Sequence, residues 1–385
     1  MDFREWFCLN DRDSFTIDAK VNPDDARFYF GRHEKNKEIK AQLRRSFVEP
    51  GVPKMIIYGS YGSGKTQTLF HLRHYLMNEK PEACRQSPKV VQFDLEMRSK
   101  SDHHDLHLQL MENLEMETVS KWVESLFNKV PNLDAEIRTI LRDNNMAEAV
   151  RNLRVGGDIG FLAWRWLCGQ RLNPNDLERL RVTRSLGDLG GGDMVNGLVG
   201  IGRLAEKVGE KVIFFIDEGE QFRNIKTGDS SESLHDYIRK LAEPSNSEIG
   251  FIFGYFANTR DEMSEIVVRP DILNRVGANN FIEIPPLPSV QGVKIFLKEL
   301  LSELIVQKMA EEKIQNEKLG VSLETYPFTA EAFDVLCDIA SQDPVKALPR
   351  NLIKAVNESA ISAWDEKRSI IDLNIVNEIA PIIFG

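Results

Sequence analysis

The chain has 385 residues, enough for about two or three domains. With 42% hydrophobic and 28% charged residues it has the balance of an ordinary globular protein, which excludes a disordered chain. A net charge of -10 argues against indiscriminate coating of nucleic acid, although it leaves room for a local basic stripe.

The first residues, Met1-Asp2-Phe3-Arg4-Glu5-Trp6, lack the apolar segment of a signal peptide, and no apolar run approaches the ~20 residues of a membrane span. Cys8, Cys84, Cys168 and Cys337 lie far apart with no metal-type spacing, so reduced thiols in a cytoplasmic protein, with no membrane partner, are the expectation. Residues 1–30 read as an N-terminal extension whose rings (Phe3, Trp6, Phe7, Phe28, Tyr29, Phe30) pack on the core. Gly31-Arg32-His33-Glu34 opens a helix that runs to about Phe47, and Pro50-Gly51-Val52-Pro53 breaks it. Lys37, Lys40 and Arg44 share one face of that helix. A solvated face is the plain reading, and a phosphate-backbone contact is the sharper one.

Met55-Ile56-Ile57-Tyr58 reads as a buried strand, and Gly59-Ser60-Tyr61-Gly62-Ser63-Gly64-Lys65-Thr66 follows it at once. That octet matches the phosphate-binding pattern Gly-x-x-x-x-Gly-Lys-[Ser/Thr], and Gln67 onward has helical spacing. Glycines let the backbone wrap an anion closely, and the N–H groups of the following helix point at it. Lys65 is expected on the β/γ-phosphates and the Thr66 hydroxyl on Mg²⁺. The alternative, a Gly/Ser surface loop, does not account for the strand before and the helix after.

Lys89–Leu95 reads as the second strand. In Asp102-His103-His104-Asp105-Leu106-His107, His103 and His107 stand one helical turn apart, a zinc-compatible spacing that a solvated helix start also explains. From about 116 to 207 the pattern is mostly helical, including 133–153 and 158–169, and reads as an insertion with a specialised role. Leu186–Gly192 is expected to be a mobile loop, with Asp193 capping a helix over Met194–Val208.

Val212-Ile213-Phe214-Phe215-Ile216 followed by Asp217-Glu218 describes a buried parallel strand with two acids at its C-terminal end, the edge where ligands gather in open α/β sheets. Asp217 is expected to hold Mg²⁺ and Glu218 to orient or deprotonate the attacking water; a structural role is the alternative. Ile249–Ala257 is a further strand, ending at Asn258, whose amide could reach a γ-phosphate or simply make a turn. Phe281–Ile284 is the last strand, and Arg269 and Arg275 precede it. Beyond Ser289 helices are expected over Val290–Lys318, from Thr329 as a cap, over Asn351–Asp365 opened by Leu348-Pro349-Arg350, and over Asp372–Ile379.

Together these motifs resemble the AAA+ ATPases over roughly Gly31–Ile379. Gly31-Arg32-His33-Glu34 is similar to the family's helix start near adenine, Gly59–Thr66 to its phosphate loop, and Ile216-Asp217-Glu218 to its catalytic strand. Asn258 stands where the first sensor stands, Arg275 where the trans-acting arginine finger stands, with Arg269 a weaker candidate. Leu348-Pro349-Arg350 is similar to the second-sensor motif of the helical lid. The resemblance implies a P-loop NTPase fold, a doubly wound parallel α/β sheet followed by an α-helical lid. Its parts would be the extension 1–30, a core over 31–288 carrying the insertion at about 116–207, and a lid over 289–385.

It further implies ATP hydrolysis with Mg²⁺, self-association as a ring or filament, and Arg350 reaching the nucleotide from the same subunit's lid. Catalysis would fall to Lys65, Glu218, Asn258 and Arg275. Nucleotide binding would fall to Gly59–Gln67 and Arg350, and Mg²⁺ to Thr66 and Asp217. Within the family the order looks closest to the initiator (origin-recognition) clade. Trp166–Gly169 through Asp217–Glu220 also looks like small ATPases of phage-exclusion islands. Two roles are expected: a switch or loader in a DNA transaction of defence, transposition or replication, with Lys37, Lys40, Arg44 and Lys54 as a basic lining, or a scaffold ATPase that binds a protein effector without DNA. The chain's end at Gly385 leaves no room for the winged-helix domain of initiators, an expectation against sequence-specific DNA binding. A two-domain helicase also fits Gly62–Thr66 but expects a second RecA-like domain.

Overall fold

The computed structural model describes residues 2–49, 51–129, 133–188, 190–287 and 289–385. Pro50, within the expected helix break, and Leu189, within the expected loop, lie outside the described residues. The chain forms two compact units, one of Met1–Ile39, Gly59–Leu72 and Ile284–Gly385, the other of Lys40–Tyr58 and Arg73–Glu283.

The second unit is built on a five-stranded sheet. Its strands are β1 (Lys54–Gly59), β2 (Ser87–Asp94), β3 (Glu210–Asp217), β4 (Ile249–Phe256) and β5 (Phe281–Glu283), in the order β2-β3-β4-β1-β5. β1 runs parallel to β5, β2 to β3 and β3 to β4. Val212 through Ile216 are completely buried, as a strand covered on both faces requires, which is why this run is apolar throughout rather than alternating. The register sets Asp94 opposite Asp217 at the ends of β2 and β3. This sheet, the phosphate-loop octet after β1 and the helical C-terminal stretch make the α/β P-loop arrangement that the AAA+ resemblance implies.

The expected insertion is a set of helices, Met116–Lys129, Leu133–Leu141, Asn144–Val155, Gly157–Leu167, Pro174–Leu180 and Gly191–Val208. Their apolar faces share one core with the sheet: Trp122, Met146, Trp166 and Leu198 belong to the same buried cluster as Phe214 and Phe251. The helix expected over 133–153 is two helices, because Arg142 turns left-handed (φ 57°) and Asp143 caps a new start by accepting from Met146 N–H. Asp193 is not a cap; the helix begins earlier, at Gly191, and Asp193 lies inside its first turn.

His107, whose spacing from His103 fitted zinc or a solvated helix start, is instead buried with both ring nitrogens engaged. Leu167 C=O can only accept, so Nε2 carries the proton and donates to it at 2.9 Å, while Nδ1 accepts from the Tyr237 hydroxyl at 2.8 Å. Burial pushes the His107 pKa down from 6.5 to about 4. The unfolded chain therefore binds the proton first, and the His107 contribution to stability is complete above pH 6.5 and lost as pH falls toward 4. Acidification from pH 7 to 4 is expected to remove roughly 3 kcal/mol through this group alone. Urea midpoints measured across that range should fall less steeply in His107→Gln than in the parent chain.

In the first unit the N-terminal segment packs on the C-terminal helices, as its aromatic content predicts. Phe7 and Phe15 are wholly buried, Phe3 meets Trp364 edge-on, and Trp6 Nε1–H donates to Arg368 C=O at 2.9 Å. The expected helix Val290–Lys318 is two, Val290–Leu304 and Gln307–Glu317. Its break is tertiary. Asn10 N–H donates to Leu304 C=O, Val306 N–H donates to Cys8 C=O, both at 2.8 Å, and Leu9 bridges Ile305. The remaining helices, Ala330–Ser341, Pro349–Asp365 and Leu373–Phe384, enclose a core of Phe328, Phe333, Leu336, Leu352 and Val376.

Candidate functional site

The first unit holds the phosphate-loop octet. Gly62 and Gly64 take positive φ (82° and 95°), which glycine adopts without the clash a Cβ brings. The helix Lys65–His74 starts on the octet's lysine, leaving its first N–H groups at the loop. Lys65 is buried, and its Nζ donates to Ser60 C=O at 3.0 Å. Ser60 Oγ and Ser63 Oγ are buried without a hydrogen-bond partner among the described residues. Such hydroxyls are costly unless something completes them, and a cradle of this kind fits phosphate oxygens.

Two arginines frame the loop. Arg32 donates through Nη1 to Ser63 C=O and through Nη2 to Pro285 C=O, and burial lowers its pKa. Sequence reasoning took Gly31-Arg32 as part of a base-contacting helix start and missed this support; its position in the motif was the available signal. Arg350 opens the helix Pro349–Asp365, and its guanidinium lies 4.6 Å from the centre of the Tyr61 ring, which is 66% exposed. The side chain of Gln67, expected to help bind nucleotide, instead donates through Nε2 to Asp25 C=O (2.6 Å) and Phe28 C=O (2.9 Å). That leaves its backbone N–H as the group it can offer.

Gly59 is fixed by space. A Cβ there would stand 2.5 Å from Ile284 O and 2.7 Å from Ser63 Oγ. Because one of these atoms is backbone, Gly59→Ala must move the loop, an overpacking cost of about 1–3 kcal/mol. If the loop holds a nucleotide's phosphates, Gly59→Ala should weaken nucleotide binding by about 10- to 100-fold. Titration with a fluorescent ATP analogue checks this, and an affinity within twofold of the parent would be incompatible with it.

The second unit holds the acids. Asp217 ends β3 buried, and its Oδ1 accepts from Glu218 N–H at 2.9 Å. Glu218 sits in the left-handed region (φ 60°), a conformation that costs an L-residue roughly 1–2 kcal/mol and turns its side chain out of the strand's alternation. Glu220 secures the neighbouring strand end by accepting from Phe256 N–H. Asn258 is exposed, and Glu262 accepts from both its backbone N–H (2.8 Å) and its Nδ2 (3.1 Å). Nothing in the sequence singled out Glu262. Arg269 is spent on Glu232 at 2.8 Å, whereas Arg275 donates through Nη1 to Asp271 C=O in its own helix, Pro270–Val276, and among the described residues makes no ion pair.

Of the expected basic lining, Lys37 and Arg44 lie exposed, as a solvated face requires, Lys40 is half-buried and Lys54 is buried. Lys37 pairs with Glu34 (2.7 Å), Lys40 with Glu79 (3.1 Å), and Arg44 donates to the Tyr75 hydroxyl (2.9 Å). Lys54 is buried, donates to Glu243 C=O, and has its pKa lowered by burial to about 8. It cannot face a phosphate backbone from there.

No family model matches the chain, and no curated protein matches it. Among solved structures it is similar to the Aeropyrum pernix ORC2 protein in its ADPNP-ADP complexes (13% identity, TM-score 0.49, 100% of this chain and 72% of that one). It is similar also to Aeropyrum pernix ORC1 in complex with DNA (12%, 0.46, 95% and 69%) and to a Walker-type ATPase of Pyrococcus abyssi (14%, 0.42, 96% and 75%). No helix of the described residues is long and apolar enough to cross a membrane.

Proposed function

We propose that this chain binds and hydrolyses ATP with Mg²⁺ and acts as a self-associating switch or loader in a DNA transaction, in defence, transposition or replication. The observation that carries it is the octet Gly59–Thr66 between β1 and the helix Lys65–His74, with Lys65 drawn onto Ser60 C=O and two buried, uncompleted serine hydroxyls. The first unit is assigned the phosphates, a Mg²⁺ ligand in the Thr66 hydroxyl, and the sensing residue Arg350. The second is assigned the carboxylate Asp217, the base Glu218, the polar sensor Asn258 and the finger Arg275. When bound, Mg²⁺ would neutralise charge on the phosphate oxygens. Glu218 takes the proton from the attacking water, and Lys65 holds the oxygens on which charge develops.

Arg350 now stacks on Tyr61, so a γ-phosphate competes with that ring for its guanidinium, and lid position follows nucleotide state in this reading. Kinship with initiators and with phage-exclusion ATPases belongs to the same proposal, as do a cytoplasmic location and a protein effector.

One observation favours a second reading, a scaffold ATPase that assembles on a protein effector without DNA. Of the four basic residues expected to meet DNA, Lys54 is buried and donates to Glu243 C=O, Lys40 pairs with Glu79, and the exposed Lys37 and Arg44 already have partners in Glu34 and Tyr75. Sizing Glu218→Gln with ATP, with and without duplex DNA, separates the two. An oligomer that forms only on DNA supports the first, and one that forms with ATP alone and ignores DNA supports the second. A protein that stays monomeric in both would overturn the self-associating switch.

A further inference from the structure

The nucleotide reading leaves one chemical cluster unused, the start of the helix His103–Leu114. Asp102 caps that helix, its Oδ1 accepting from His104 N–H at 2.8 Å, while Asp105 Oδ2 accepts from Asp102 N–H at 3.0 Å. His103 is only 8% exposed, and neither of its ring nitrogens has a hydrogen-bond partner among the described residues. The rings of His103 and His104 lie 4.2 Å apart, and Gly191 closes over His103, since a Cβ on Gly191 would come within 3.3 Å of its ring. One ligand atom each from Asp102, His103 and His104 falls within 4.8 Å of the others.

A buried imidazole with both nitrogens uncompleted is the exception in folded proteins and asks for a missing partner. A helix N-terminus repels cations, but here a carboxylate stands at it and the other two donors are uncharged imidazoles when they bind metal. Two imidazoles and one carboxylate suit a borderline divalent ion such as zinc rather than magnesium or calcium, which prefer oxygen alone. Tetrahedral zinc needs donor atoms about 3.3 Å apart, and the three donors already lie within 4.8 Å of one another.

We infer that Asp102, His103 and His104 form a zinc-type divalent metal site, distinct from the nucleotide's Mg²⁺ and not using His107. Three protein ligands leave a fourth position of a tetrahedral ion open to water or a partner group.

The test uses the full chain without a histidine tag, stripped by chelator and free of nucleotide. It is titrated with Zn²⁺ calorimetrically and with Co²⁺ by its visible absorption. One ion per chain is expected. His104→Gln and Asp102→Asn should each lower the affinity by about tenfold or more. Asparagine preserves the helix cap, so that variant should fold normally by circular dichroism. Absence of stoichiometric Zn²⁺ and Co²⁺ uptake would overturn the site, and so would uptake unchanged in both folded variants.

Discussion

Glu218→Gln is expected to lower steady-state ATP hydrolysis by about 10²- to 10⁴-fold, the usual worth of a positioned general base. Nucleotide affinity should stay within a few-fold of the parent, because glutamine keeps the shape and removes only the proton-accepting charge. The backbone argues for a special role at this residue. Glu218 follows the buried strand end at Asp217 in a left-handed conformation that glycine would accept at no steric cost. Glu218→Gly makes this explicit. It relieves roughly 1–2 kcal/mol of strain and adds about 0.5–1 kcal/mol of unfolded-state entropy, so the melting temperature should hold or rise while turnover is lost. Phosphate release assays and thermal melts on the two variants read both quantities. Turnover within threefold of the parent in Glu218→Gln would remove Glu218 from the chemistry.

Arg275→Ala is expected to lower hydrolysis by about 10³-fold or more without changing nucleotide affinity, as loss of an arginine finger does in related phosphoryl transfer. Arg275 is the less engaged of the two arginines before the last strand. Arg269 already bridges Glu232 at 2.8 Å, and that carboxylate raises its pKa, whereas Arg275 donates to a carbonyl of its own helix at 2.7 Å and makes no ion pair among the described residues. A finger that completes a neighbour's site makes the rate per chain rise with protein concentration. It also makes two dead variants complement each other, because Arg275→Ala supplies Glu218 and Glu218→Gln supplies Arg275. Mixing them should restore a readily measured fraction of parental turnover. A rate independent of concentration, with no recovery on mixing, would return Arg275 to a structural role.

The arrangement of the candidate site's segments was legible because it is local. A strand, an octet of fixed pattern and a helix follow one another in Met55–Gln67, and five apolar residues end in two acids at Asp217-Glu218. Both rest on spacing within about a dozen residues. What failed were readings that needed a distant partner. On the first long helix Lys37 and Arg44 stay on an exposed face, but Lys40 meets Glu79 and Arg44 meets Tyr75 from far along the chain, and Lys54 is drawn inside to Glu243. Val290–Lys318 kept its helical period, yet Cys8 and Asn10 split it by offering backbone hydrogen bonds at Leu304 and Val306. The helical spacing of His103 and His107 suggested a shared ligand. Tyr237 and Leu167 took one of these rings, and Asp102 and His104 gather beside the other.

By itself the sequence determined which backbone segments must be strands and helices, where an anion can be wrapped, and where acids stand at a strand end. Those properties come from side-chain type and period alone. The tertiary structure decided which charges remain available, which hydroxyls and imidazoles stay uncompleted, and what restrains Arg32, Asn258 and Arg350. Those depend on hydrogen bonds between residues far apart in the chain, and a polar group's free energy is set by the partner it finds when buried, not by its neighbours in sequence.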